Sequence, residues 1–177
     1  MPQPVHRVSV QAITCSRVSL KRQRPEAGDI FGVPLPNGAL CVGQVLARER
    51  QALNSIGCAF YCAAVRAGDS LAGIPELLRQ RPIAILLTTP DLLNKGHWPI
   101  LGRHAIQISI QEIPYERFRS KAWVGAKING SGIVEDFLAA FFGLAPWDEY
   151  KDPNYLDGLL LPGRLRPDNV VLSKKQG

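Results

Sequence analysis

Ile30-Phe31-Gly32-Val33-Pro34-Leu35, then Pro36-Asn37-Gly38, then Ala39-Leu40-Cys41-Val42-Gly43-Gln44-Val45-Leu46-Ala47 is the stretch that decides the fold. Two apolar runs of strand length flank a Pro-Asn-Gly break. Asn-Gly accepts the positive φ angles that tight hairpin turns demand, so the pair predicts an antiparallel hairpin. Ahead of it, Arg22 to Asp29 is a polar entry turned by Pro25 and Gly28. Behind it, Ile56 to Val65 predicts a third strand, although its cysteines and alanines fit a helix as well.

Further outward the pattern is shorter in period and more broken. Leu71 to Arg79 predicts a short helix, which Pro82 stops ahead of a strand over Ile83 to Thr88, itself ended by Pro90. Asp91-Leu-Leu-Asn-Lys-Gly96 reads as one helical turn closed by glycine. Trp98 to Leu101 and Ala105 to Ile113 predict further strands. In the second, Ala105, Gln107, Ser109 and Gln111 alternate with Ile106, Ile108 and Ile110.

The clearest helix is Ile133 to Phe142. Ser131 or Gly132 can cap it, Glu135 and Asp136 are expected in its first turn, where the helix dipole favours acids, and Gly143 offers a left-handed exit. Val134, Phe137, Leu138, Phe141 and Phe142 form a stripe that must cover something, most simply one face of a sheet. The expectation is an α+β fold, mostly β. Its bent antiparallel sheet, or partial small barrel around residues 28 to 65, is covered by the helix of the C-terminal half. One globular domain over 25–177 follows a basic N-terminal arm, or first strand, over 1–24.

The chain has 177 residues, 46% of them hydrophobic and 20% charged, which suits a globular core of one domain. Its longest unbroken aliphatic run, Ile83 to Leu87, is far short of the ~20 apolar residues that cross a bilayer, so no membrane association is expected. No apolar segment followed by a small-residue cleavage site stands at the start. Cys15, Cys41, Cys58 and Cys62 lie among apolar neighbours and read as reduced and buried, which points to the cytoplasm.

The net charge of +6 is unevenly spread. Arg7, Arg17, Lys21, Arg22 and Arg24 stand without an acid in residues 1–24, whereas Glu135, Asp136, Asp148, Glu149, Asp152 and Asp157 face Lys151 alone between 135 and 157. A nucleic-acid footprint would not be interrupted by such an acidic island. Catalytic and metal patterns fail on spacing. On a strand, Cys58 and Cys62 would lie roughly 13 Å apart, too far to share a zinc ion with His97 and His104. Gly125 and Gly130 enclose four residues, but Ser131-Gly132 stands where a phosphate loop needs lysine and a hydroxyl. No nucleophile elbow or His-Glu-x-x-His pair is present, so no catalytic residue, metal or cofactor is expected. What remains is a chain that works through its surface.

The run Arg24-Pro25-Glu26-Ala27-Gly28-Asp29-Ile30-Phe31-Gly32-Val33-Pro34-Leu35-Pro36-Asn37-Gly38, continued by Val42-Gly43-Gln44-Val45-Leu46, resembles the start of the immunity protein 26 family of bacterial polymorphic toxin systems. Gly96-His97-Trp98-Pro99-Ile100-Leu101-Gly102 is similar to that family's second block. Gly143 to Asp148 and Asp152 to Asp157 look family-like as well. The resemblance implies a mostly β protein that binds and neutralises a cognate protein toxin. Its motif residues Gly28, Asp29, Phe31, Pro34, Leu35, Gly38, Gly43, Trp98 and Gly102 are turn and core types, which mark the fold rather than the contact.

The expected contact surface is therefore the acidic island with its aromatics: Glu135, Asp136, Trp147, Asp148, Glu149, Tyr150, Asp152 and Tyr155. Acids speed encounter with a basic partner and large rings slow release. The competing expectation is a nucleic-acid-binding regulator that uses the basic arm.

Overall fold

The computed structural model describes residues 21–173, so most of the basic N-terminal arm, with Cys15, lies outside the described residues. Six strands, β1 (Asp29–Pro34), β2 (Leu40–Glu49), β3 (Ser55–Val65), β4 (Ala84–Thr88), β5 (Ile100–Arg103) and β6 (Ile128–Asn129), form one sheet in the order β5-β1-β2-β3-β4-β6. All neighbours are antiparallel except β4 and β6, which run parallel over two residue pairs. The mostly β, α+β architecture is borne out, and β3 is a strand throughout.

The β1–β2 hairpin forms where the Pro-Asn-Gly break predicts it. Gly38 donates to the Leu35 carbonyl at 2.9 Å and alone takes a positive φ, +80°, while the Asn37 side chain accepts from Ala39 N–H. The loop is thus a turn followed by one left-handed glycine rather than a two-residue turn. Register shifts at Cys41/Gly43 and Val45/Ala47 bend β2 against β3.

Both faces of the sheet are buried, which is why its central strands are nearly continuous apolar runs. One face carries Phe31, Val33, Cys41, Val45, Cys58, Phe60 and Leu86 and packs under Val134, Phe137, Leu138 and Phe141 of helix α3 (Ser131–Phe141). The other carries Ile30, Val42, Leu46, Ala59, Tyr61, Ile85 and Leu87. It is covered by Ile74 and Leu78 from short helix α1 (Ile74–Leu77) and its exit, and by Tyr115 and Trp123 from an irregular segment. Buried Tyr61 has its hydroxyl pKa pushed up to about 12 by burial.

That second cover corrects one expectation. Residues 105–113 do not join the sheet; Ile110–Glu112 and Glu116–Lys121 are 3-10 turns instead. Ile106, Ile108 and Ile113 pack against the face of the sheet, so their alternation reports one-sided burial without ladder hydrogen bonds. The predicted strand over Trp98 to Leu101 is displaced to Ile100–Arg103, and the helix over 71–79 shrinks to Ile74–Leu77. Helix α2 (Asp91–Lys95) ends at Gly96 with φ +82°, as its glycine predicts.

Of the cysteines, Cys41 and Cys58 are buried, and burial pushes both thiols well above their ordinary range. Cys62 is exposed, contrary to its expected burial, because β3 outruns its neighbour β4 and leaves that end uncovered.

Candidate partner-binding surface

Helix α3 sets the position of the acidic residues. It starts at Ser131 with Gly130 as its cap, one to two residues earlier than the sequence suggests, so Glu135 and Asp136 fall in its second turn rather than its first. Ser131 Oγ donates to Asp91 Oδ1 at 2.9 Å, which ties the helix start to α2. Glu135 turns toward the sheet and accepts the Trp98 indole N–H at 2.9 Å. Asp136 is exposed and accepts the Tyr150 hydroxyl at 2.7 Å.

The following loop divides its aromatics between core and surface. Trp147 is fully buried, packed on Phe137 at 5.9 Å between ring centroids, with its indole N–H donated to Asp157 at 3.2 Å. It is a core residue and offers no area to a partner. Tyr150 and Tyr155 remain half-buried at the surface, stacked with centroids 4.7 Å apart, and the Lys127 ammonium lies 4.3 Å from the Tyr155 ring. Asp148 accepts the Ser173 N–H at 2.6 Å and so holds the C-terminal segment. Glu149 and Asp152 are exposed, the latter closing a local turn onto Asn154 N–H. Of the eight candidates, Asp136, Glu149, Tyr150, Asp152 and Tyr155 present a surface, while Glu135, Trp147 and Asp148 brace the fold.

Of the motif residues, Gly28, Asp29, Phe31, Leu35, Gly43 and Trp98 are buried, whereas Pro34, Gly38 and Gly102 are exposed. Phe31 and Trp98 stack with centroids 5.7 Å apart and planes 4° from parallel, and Phe60 meets both edge-on. Gly43 is required beneath them: a Cβ there would lie 2.5 Å from the Phe31 ring. Gly28 takes φ +90° against the His104 carbonyl. Buried Asp29 accepts Arg103 Nε at 2.8 Å and Glu26 N–H at 2.8 Å, pinning edge strand β5 to the entry of β1. Leu35 is buried at the hairpin, Pro34 ends β1 and Gly102 lies exposed in β5.

A second charged feature was scattered in sequence. Arg22, Arg24, Arg48 and Lys95 line an open cleft of about 530 Å³ together with Asn94 and Asp91. Gln23 fixes the chain there by donating to the Leu93 and Trp98 carbonyls and accepting from Ile100 N–H. The hydroxyls of Thr89 and Ser131 hold the Asp91 carboxyl below its ordinary range against the opposing effect of burial. Among the described residues, no three His, Cys, Asp or Glu side chains are placed to share a metal ion, and no helix is long and apolar enough to cross a membrane.

Residues 26–126, more than half of the chain, match the family described as Immunity protein 26. No curated protein and no solved structure matches the chain.

Proposed function

The chain belongs to the immunity protein 26 family, and on that premise we propose that it binds a cognate protein toxin and neutralises it by occlusion, without catalysis, in the cytoplasm of the cell that makes both. The observation that carries this reading to a surface is the cluster of Asp136, Glu149 and Asp152 around the stacked Tyr150–Tyr155 pair. Rigid rings flanked by exposed carboxylates suit a basic partner: the charges steer encounter, and the rings add contact area at little entropic cost.

The test is the double reversal E149K/D152K, which spares the Asp136–Tyr150 and Asp148–Ser173 hydrogen bonds. Association with the protein product of the adjacent reading frame should slow by roughly 10-fold at low ionic strength and lose much of its salt dependence, while the melting temperature falls by only about 2–4 °C for the lost Asp152–Asn154 hydrogen bond. An association rate equal to that of the wild type would exclude this cluster.

The cleft of Arg22, Arg24, Arg48 and Lys95 favours a second reading, a nucleic-acid-binding regulator. Such a protein would hold oligonucleotides with an affinity falling linearly in log[salt], and the variant R22E/R24E/K95E would flatten that slope. The lining contains no aromatic ring on which a base could stack, and Asp91 opposes a polyanion, so the immunity reading is preferred. It expects no retention of oligonucleotides at physiological salt.

A further inference from the structure

Residues 50–54 join β2 to β3, and the last turn of this loop is closed by Ser55 N–H donating to the Ala52 carbonyl at 2.9 Å, with Leu53 at φ +52° and Asn54 at φ +55° between them. Positive φ at both central residues of the turn is left-handed backbone, which favours Asn and Gly. Leucine is a poor choice at its first central position, since a side chain without a local hydrogen bond gains nothing from the left-handed region. Yet Leu53 stands there 85% exposed. A residue that breaks the local rule and is not recovered by burial points to a role outside the fold.

Beside it lies a second anomaly of the same kind. Ala122 and Trp123 take φ +50° and +66°; Trp123 turns into the core, and Val124 is left 74% exposed. Leu53 and Val124 flank one open groove of about 240 Å³. Exposed Arg50 and Lys121 stand in the two loops, and neither 50–54 nor 120–128 contains an acid. A second copy docking through the same groove would set bases against bases, so the charge favours a different protein whose apolar side chain is flanked by carboxylates.

We infer that the Leu53–Val124 groove is the apolar centre of the toxin-binding surface, taking an aliphatic or aromatic side chain of the toxin set between acidic residues. This rests on the immunity reading and deepens it. Lys127, between the groove residues Ala126 and Ile128, lays its ammonium on the Tyr155 ring, so one segment touches both the groove and the acidic cluster. The cluster steers approach, while the groove supplies the desolvated contacts on which slow release depends.

The experiment measures binding of the full chain to the purified product of the adjacent reading frame, using L53N, V124S and the control N54G. L53N and V124S should each speed dissociation by roughly 10- to 30-fold, as loss of a central apolar contact does. L53N should nevertheless melt at or above the wild-type temperature, because asparagine suits the turn. N54G should leave dissociation unchanged. Wild-type dissociation rates in L53N and V124S, with the wild-type complex intact, would overturn the groove and leave the immunity reading standing. A wild-type chain that forms no complex would overturn both. If L53N and V124S instead abolish a dimer of the wild-type chain, the occupant is a second copy and the inference fails.

Discussion

Replacing Trp98 by alanine should remove about 3–5 kcal/mol of stability, a large part of what a domain of this size possesses. The indole is fully buried and lies flat on Phe31, with Phe60 at its edge, so its removal opens a cavity where three rings meet. It also withdraws the N–H that Glu135 accepts. W98F separates the two effects: it keeps a ring on Phe31 and loses the donor, and because Glu135 is half-exposed and water can replace the lost partner, about 1 kcal/mol should go. Urea unfolding of the three proteins measures the series. A W98A protein as stable as the wild type would mean that the contact of Trp98 with Phe31 and Phe60 contributes little to the core.

The same residues show what the sequence made legible. The Pro-Asn-Gly break located β1 and β2 because turn chemistry is local: Gly38 is read from its own lack of a Cβ, and Gly143 at φ +71° is another such case. The segment 105–113 was not legible, since alternation reports only that one side is buried. Ile106, Ile108 and Ile113 satisfy it by lying across the sheet, with no ladder formed. The acidic island was visible as composition, yet its division into surface and brace depends on distant partners. Glu135 is claimed by Trp98, 37 residues away, and Trp147 by Phe137 and Asp157. The basic cleft draws on residues 22 to 95, and the apolar groove on two turns about 70 residues apart, so neither has a sequence period. Leu53 carried a signal only against its turn, and the turn itself became recognisable only from its φ angles.

The irregular cover that the sequence could not place packs on the sheet through Tyr115 and Trp123, and Arg119 ties it there by charge. Arg119 reaches across from the 3-10 turn Glu116–Lys121 and donates to both oxygens of Glu49, at 2.6 and 3.0 Å, at the end of β2. The Glu49 side chain is 6% exposed and Arg119 47%. The same guanidinium also bonds Glu116 and lies 4.8 Å from the Trp123 ring. Substituting R119M leaves the Glu49 carboxylate buried without its cation, a change that costs about 3 kcal/mol, at the low end of the range for buried pairs because Arg119 is half in water. At roughly 2–4 °C per kcal/mol for a chain of this length, the melting temperature should fall by about 6–12 °C. Adding E49M to R119M should restore most of the loss, since an apolar pair of similar volume has no charge to strand. Acid provides an independent check. The Arg119 hydrogen bond holds the Glu116 carboxyl below its ordinary range, so its contribution is present above that range and is lost as the pH falls through the lowered value. The gap between wild type and R119M should therefore narrow in acid. A gap that stays constant as Glu116 protonates would show that Arg119 acts by its packing on Trp123, with its charge contributing little.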